Sequence, residues 1–424
     1  VIDRLAPALR AAARRHGTPL YATDLAALRA AAESVRSAFP DPWLRSFSVK
    51  ANDVAAIVAE VAALGFDANV VSAGEWAVAR RAGVPNDRIT FEGVGKTDAE
   101  LRAAVQAAAD GQPLRWLAVE SPDELASLIA IARRVGLRRA QALELLFRLN
   151  PDVAPETIAG LAVGAPASKF GMTADELSEA VALASAEEGI VPRGVHLHVG
   201  SQLRAVDAWR DAARRGLALV ALLRGSLERF DTLDLGGGFP VLPKAEAAPA
   251  PERFAREWPA LLEAIPPDRR PSRLAIEPGR ALVGRAGILV GRVLHVRDRG
   301  GRQVVLDTGM TELIRPALYG ARHEIVALTS LGRDIEPLAS GAAETAAFEE
   351  ARVEGPICES TDHLGEHRLP PLRRGDLVAI LDAGAYGASL ASTYNGRPRP
   401  PQVLIEPGGG LRMGRSRGRV SALG

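Results

Sequence analysis

Arg45-Ser46-Phe47-Ser48-Val49-Lys50 is a short β-rich run that ends on a lysine, with Ala51-Asn52 after it. Further runs of the same texture follow at Ala68–Ser72, Arg88–Glu92, Arg115–Glu120, Glu144–Asn150, Gly194–Gly200, Thr232–Leu235 and Arg273–Glu277. Between them lie Ala-, Leu- and Arg-rich stretches with helical spacing: Val54–Leu64, Gly74–Ala82, Asp98–Ala109, Pro122–Val135, Ala174–Ala186 and Ala205–Leu223. Strand-then-helix units imply parallel strands with right-handed crossovers, and eight such runs predict a (β/α)8 barrel of the TIM type, α/β in class. The Pro- and Ala-rich stretch Pro240–Pro271 predicts a loop before a helix.

After Leu282 the texture changes. Gly287–Val296, Gln303–Leu306, His323–Ala327, Val353–Gly355 and Asp376–Ile380 read as strands separated by turns rather than by long helices. The expected organisation is a barrel domain over residues 24–283 and a mostly β second domain over 284–424. Residues 1–23 join the second domain, with Pro19-Leu20-Tyr21 as a short extended piece.

Composition narrows the function. At 424 residues the chain suits two domains, and 47% hydrophobic with 24% charged residues describes a globular protein with a large core. A net charge of +1 gives nucleic acid or an anionic membrane nothing to hold. A single cysteine, Cys358, excludes an internal disulfide and fits a reducing compartment. No apolar run has the length of a membrane helix, and Val1-Ile2-Asp3-Arg4 lacks a signal-peptide profile, so the expected location is cytoplasmic. Of the 52 Lys plus Arg, only Lys50, Lys96, Lys169 and Lys244 are lysine. The lysines that survive such a drift are enriched for work a guanidinium cannot do, and forming a Schiff base is one such task.

The reactive-looking residues fall at the C-terminal ends of the inferred strands, the face at which barrels of this kind carry their active sites. Lys50 ends the first, Ser72 the second, His198 and Ser201 the sixth, Gly236-Gly237-Gly238 the seventh and Glu277 the eighth. The triple glycine lets backbone N–H groups approach an anion, although alone it reads equally as a flexible turn. His196 and His198 stand two apart on one strand face and could be core histidines, half of a metal site, or a ring stacked on an aromatic cofactor. Glu277-Pro278-Gly279-Arg280 sets a carboxylate that could hold a protonated pyridine nitrogen beside an arginine that could bind phosphate or carboxylate. His363-Leu364-Gly365-Glu366-His367 matches an H-x-x-E-H zinc pattern, but that pattern needs a helix, and the central Gly with Pro370-Pro371 beyond predicts a loop. No metal is expected.

With these residues in hand, the chain resembles the fold-type III pyridoxal-phosphate-dependent decarboxylases, and among them the branch that acts on diaminopimelate. The resemblance runs from Gly17-Thr18-Pro19-Leu20-Tyr21 to Tyr394-Asn395-Gly396-Arg397-Pro398. It is carried, in family order, by Ser48-Val49-Lys50-Ala51-Asn52, Gly93-Val94-Gly95-Lys96-Thr97, Ser168-Lys169-Phe170-Gly171, His198-Val199-Gly200-Ser201-Gln202, Gly236-Gly237-Gly238-Phe239, Glu277-Pro278-Gly279-Arg280, Ile314-Arg315-Pro316-Ala317-Leu318-Tyr319, Cys358-Glu359-Ser360 and Gly384-Ala385-Tyr386-Gly387.

The resemblance implies pyridoxal 5'-phosphate as cofactor, linked to Lys50. His198 would stack on its ring and Glu277 would keep its nitrogen protonated. Ser201, Gly236, Gly237, Gly238, Arg280 and Tyr386 would surround its phosphate. Arg280, Arg315, Tyr319 and Tyr386 would contact the substrate, Glu359 would meet its distal ammonium, and Cys358 would act beside Cα. Cys358 and Glu359 would enter from the second subunit of a homodimer. The activity implied is decarboxylation of meso-2,6-diaminopimelate to L-lysine, the last step of lysine biosynthesis. Alternatives within the fold type are a decarboxylase of ornithine, lysine, arginine or a carrier-bound amino acid, an amino-acid racemase, and a non-catalytic cofactor-binding protein. One departure stands out: the family often places Asp where this chain has Asn69, and the lost charge could lower the pKa of the lysine amine.

Overall fold

The computed structural model describes residues 2–157, 162, 164, 168–242, 246–336 and 348–420; Lys244 lies outside them. The chain divides into two compact units. One comprises Ala32–Leu242 and Ala247–Gly279, the other Val1–Ala31, Pro243–Glu246 and Arg280–Gly424.

The first unit is a closed barrel of eight parallel strands, Leu44–Ser48, Asp67–Val70, Ile89–Phe91, Trp116–Val119, Leu143–Arg148, Ile190–His196, Thr232–Asp234 and Arg273–Ile276. The last strand closes on the first through Leu44↔Ala275 and Arg45↔Ile276. The barrel expected from the eight runs is therefore present, with strands that stop a few residues earlier than the sequence suggests. Lys50 is displaced by this. It sits past its strand in the one-turn 3-10 segment Val49–Ala51. Ser72 is likewise off its strand, as the N-cap of the helix Ala73–Arg81.

The crossover helices start on a recurring signal. Ser72, Thr97, Ser121 and Thr173 each accept a hydrogen bond from the backbone N–H of a glutamate three residues on, and at Thr97 and Thr173 the glutamate reciprocates to complete a capping box. Pro122 at the first turn and Gly136 in the left-handed region (φ 74°) bound the helix Pro122–Val135 at both ends. The stretch expected to hold a loop and a helix contains two short helices, Pro251–Ala255 and Trp258–Glu263. Inside the barrel, Trp116, Ala118, Leu146 and Ala275 pack together without solvent contact. Gly194 has to be glycine, because a Cβ there would lie 1.8 Å from the carbonyl oxygen of Thr232 on the neighbouring strand.

The second unit is mostly β, as expected. Its sheet runs in the order His363–Leu369, Glu349–Glu354, Arg302–Leu306, Gly287–Asp298, Leu20–Asp24, Gln402–Ile405, Leu411–Arg415, with Ile325–Ala327 and Leu377–Ile380 paired beside Gly287–Asp298. Leu20–Asp24 pairs antiparallel to Gly287–Asp298 and parallel to Gln402–Ile405. Strand alternation gives the sheet two apolar faces. Tyr21 and Leu289 pack with Val304, Leu306 and Val353 on one; Leu20, Ala22, Ile288 and Val290 face the other. That second face is covered by a helix the sequence reading did not foresee, Ile2–His16, through Leu5, Leu9, Ala12 and Ala13. The His363–His367 segment is a strand rather than the expected loop, and His367 Nε2 pairs with the Leu364 carbonyl at 3.0 Å. Among the described residues no helix is long and apolar enough to cross a membrane.

Trp116 is fully buried, with the Arg273 guanidinium 5.4 Å from its ring centroid. Trp116→Ala is expected to cost about 3–5 kcal/mol in urea unfolding. An unchanged midpoint and slope would contradict a packed barrel floor.

Candidate active site

The barrel delivers one polar side chain from the C-terminal end of each strand. In order round the barrel these are Lys50, Asn69, Glu92, Glu120, Arg148, His196, Asp234 and Glu277. All but Lys50 are buried. Glu120 and Arg148 neutralise each other at 2.5 Å, and Phe170 lies under the Arg148 guanidinium at 4.7 Å. Asn69 donates from Nδ2 to Glu277 Oε1 at 2.9 Å and to Thr90 Oγ1 at 3.3 Å. His196 Nε2 lies 3.2 Å from Glu92 Oε2 and 3.4 Å from Glu277 Oε1. Asp234 Oδ1 accepts from the Gly236 N–H at 2.9 Å.

Burial dominates the titration of this group. It raises Glu92 to about 8, helped by the Glu277 charge, and raises Asp234 well above the usual carboxylate range. It lowers His196 to about 4, so the ring is neutral. His198 is pushed well below its ordinary value, first by burial and then by the charges of Lys50 and Arg148.

The two histidines part company here. The sequence reading sets them on one strand face, but the strand ends at His196, which turns to Glu92 and Glu277. His198, half-buried beyond the strand, accepts at Nδ1 from the Gly237 N–H at 3.2 Å, so its proton is on Nε2. Gly236, Gly237 and Gly238 form a loop no side chain could occupy. A Cβ at Gly236 would stand 2.3 Å from the Leu197 carbonyl oxygen, and one at Gly237 would stand 2.5 Å from that of Glu277. Ser201 lies on the same loop as His198, beside Gln202 at φ 60°.

The second unit gathers a different set. Arg280 and Arg315 are both 6% exposed. The Arg280 guanidinium lies 4.7 Å from the Tyr386 ring centroid, and Tyr386 holds the left-handed conformation (φ 57°) uncommon for a bulky residue. Burial, then the charge of Arg280, pulls Arg315 down to about 10, while Tyr319 and Tyr386 act in the opposite sense. Arg315 Nε is buried without a hydrogen-bond partner among the described residues. Its NH1 is held by a residue sequence reasoning missed. His323 Nδ1 lies 2.9 Å from the Leu381 carbonyl oxygen, so this nitrogen carries the proton, and Nε2 accepts from Arg315 at 2.8 Å. Burial and the Arg315 charge keep His323 neutral, at about 4. Two buried guanidiniums with tyrosines beside them could hold an anion.

Cys358 and Glu359 stand on another loop of this unit with other partners. Both are exposed. Tyr394 donates to Glu359 Oε1 at 2.5 Å, and Asn395 Nδ2 reaches Cys358 Sγ at 3.6 Å. The loop is pinned from below by Asp362, which accepts from the N–H groups of Ile357 at 2.7 Å and Met310 at 2.5 Å.

Residues 25–284 match the family model described as the pyridoxal-binding domain of the pyridoxal-dependent decarboxylases. A diaminopimelate decarboxylase of Aquifex aeolicus is 36% identical over 403 residues, which cover 94% of this chain and 89% of that protein. One from Archaeoglobus fulgidus is 35% identical over 394 residues, 92% of this chain and 88% of its own. Among solved structures, diaminopimelate decarboxylase of Helicobacter pylori complexed with L-lysine superposes with a TM-score of 0.85 at 30% identity, over 97% of this chain and 96% of that one. The enzyme of M. jannaschii in complex with L-lysine gives 0.86 at 30% identity, over 98% and 93%. The barrel with its second, mostly β unit, the motif order and these relatives agree: the chain belongs to the diaminopimelate decarboxylase family of pyridoxal-dependent decarboxylases.

Proposed function

We propose that this chain is a pyridoxal-phosphate-dependent carboxy-lyase that converts meso-2,6-diaminopimelate to L-lysine and carbon dioxide in the cytoplasm, as a homodimer. The observation that carries the substrate is the buried pair Arg280 and Arg315 with Tyr319. Diaminopimelate keeps a second carboxylate after the first is lost, whereas substrates that yield diamines have none for such a receptor to bind. Ornithine, lysine and arginine are therefore disfavoured.

The barrel residues fit the cofactor. Lys50 supplies an amine, the His198 ring a flat face, the Gly236–Gly238 loop a backbone free of side chains, and Glu277 a buried carboxylate already fixed by Asn69. When bound, pyridoxal phosphate supplies a conjugated ring that takes up the electron pair left by the departing carboxyl group. Lys50 Nζ would hold the cofactor, Glu277 would keep a proton at its ring nitrogen, and His198 would face its ring. Ser201, the Gly236–Gly238 backbone, Arg280 and Tyr386 would hold its phosphate. Arg280, Arg315, Tyr319 and Tyr386 fix the distal part of the substrate, with Glu359 on its ammonium. Cys358 or Lys50 would return a proton to Cα. Cys358 and Glu359 act on the partner subunit's substrate; their exposure on a single chain supports this. On this reading residues 24–283 would be the cofactor-binding barrel domain, and residues 1–23 with 284–424 the second domain.

Purified holoenzyme given meso-diaminopimelate, ornithine, lysine and arginine separately is expected to release carbon dioxide and lysine from the first alone. Absorbance from bound cofactor without turnover on any of them would overturn the substrate assignment and favour a carrier-bound amino acid.

Losing a hydrogen-bonded guanidinium costs about 1.5–3 kcal/mol, so Arg315→Ala should raise KM for diaminopimelate about 10–100-fold. His323→Ala should raise it about tenfold with kcat within about twofold, because only the orientation of Arg315 is lost. His323 stays neutral well above about pH 4, so KM should not titrate with it between pH 6 and 9. Cys358→Ala should lose most turnover while keeping the cofactor; full turnover would remove the cysteine from the reaction.

A further inference from the structure

The family assignment gives Glu92 no role, and the sequence motifs pass it by. Yet it is 3% exposed at the mouth of the barrel, on the strand end beside Asn69. One carboxylate oxygen of Glu92, one nitrogen of His196 and one carboxylate oxygen of Glu277 all lie within 4.8 Å of each other. Glu92 Oε1 has no hydrogen-bond partner among the described residues. Two carboxylates this close, out of water, cannot both be ionised. Glu277 has to be the charged one if it is to hold a proton on a ring nitrogen.

We propose that Glu92 is a positioning residue for Glu277: its carboxyl carries the proton that the two acids cannot both lack, donates it in a hydrogen bond, and leaves the negative charge on Glu277. This rests on the role given to Glu277 in the proposed function. Asn69 completes the arrangement. Its amide donates to Glu277 Oε1, so Glu277 faces donors on two sides. The charged or titratable groups that face the pair from the other strand ends are Lys50, Glu120, Arg148, His196 and Asp234. Glu120 and Arg148 cancel, His196 is neutral and Asp234 is held protonated by burial, so Glu92 is the group left to titrate near neutral pH. Its value of about 8 agrees with the geometry.

The sign for stability follows from linkage. A carboxyl raised from 4.5 to about 8 binds its proton more tightly folded than unfolded, so its contribution to stability is full below pH 4.5 and is lost as pH rises toward 8. Removing the acid should remove that slope.

The test uses Glu92→Gln, Glu92→Ala and the double variant Asn69→Asp/Glu92→Gln, each as holoenzyme and as cofactor-stripped protein. Glu92→Gln should lower kcat about tenfold with KM little changed and abolish the basic limb of the activity profile near pH 8. The bound cofactor's absorbance should shift, because the charge on Glu277 is no longer fixed. In stripped Glu92→Gln the fall of Tm between pH 5 and 8 should flatten. The double variant, which restores an acid beside Glu277, should recover kcat to within about threefold, and Glu92→Ala should be worse than Glu92→Gln. Wild-type spectrum, pH limb and Tm slope in Glu92→Gln would overturn the proposal. So would a stoichiometric metal in the wild type whose removal reproduces the variant, since Glu92, His196 and Glu277 have ligand spacing. The stripped-protein Tm slope tests Glu92 even if diaminopimelate proves not to be the substrate.

Discussion

A carboxylate buried at the mouth of the barrel, Glu277, is the constraint to which the polar groups around it answer. Moving an ionised carboxyl into an apolar interior costs many kcal/mol unless donors replace its hydration, and the usual escape is protonation. Closing eight strands brings one polar group from each to a common mouth, and the charges there resolve into pairs. Arg148 answers Glu120 at 2.5 Å. Burial takes the charge from Glu92 and Asp234 and keeps His196 neutral. The arrangement is preorganised, so no dipoles have to turn when charge develops in the reaction.

The second unit poses the same problem with the sign reversed. Arg280 and Arg315 repel each other inside a buried pocket, and a guanidinium cannot escape by losing its proton under ordinary conditions. What it can do is find acceptors. His323 provides one because its other nitrogen is committed to the Leu381 carbonyl, which fixes the tautomer and turns a lone pair toward Arg315. Tyr386, strained into the left-handed region, brings its ring against Arg280. The remaining imbalance is the feature on which the proposed recognition of a distal carboxylate rests.

Much of this was legible in the sequence, and the boundary of legibility has a physical reason. The barrel strands are short buried runs that alternate with amphipathic helices, and such a pattern survives any side-chain detail. Glu277, His198 and the triple glycine were visible because position at a strand end is a local property. Lys50 was read onto its strand because the hydrophobic pattern continues through Val49 although the backbone turns at Ser48. The helix Ile2–His16 was missed because Arg and Ala mask a stripe made of Leu5, Leu9, Ala12 and Ala13. The S/T-x-x-E that precedes four of the crossover helices would have sharpened their boundaries. Glu92, Asp234 and His323 escaped notice as site residues for another cause: each acquires its role from neighbours on strands or loops distant in sequence. The H-x-x-E-H segment reads as a loop because of its central Gly and the prolines beyond it, yet it forms a strand. A bulge at Leu364 in that strand leaves the two histidines on different faces, one exposed and the other buried.

Asn69 links the two kinds of reading. As a sequence feature it is a departure from the Asp often found there, and its consequence first reads as a lost charge near Lys50. In the structure the amide is a donor to Glu277 Oε1, which an ionised Asp could not be. An Asp at 69 would also add a further acid to a volume where burial already pushes Glu92 and Asp234 toward the neutral form. With Glu92 present the amide is the side chain that fits, and with the amide present Glu92 is the acid left to regulate Glu277. The departure at 69 and the carboxyl at 92 are one arrangement, readable only once the second and third strands lie side by side.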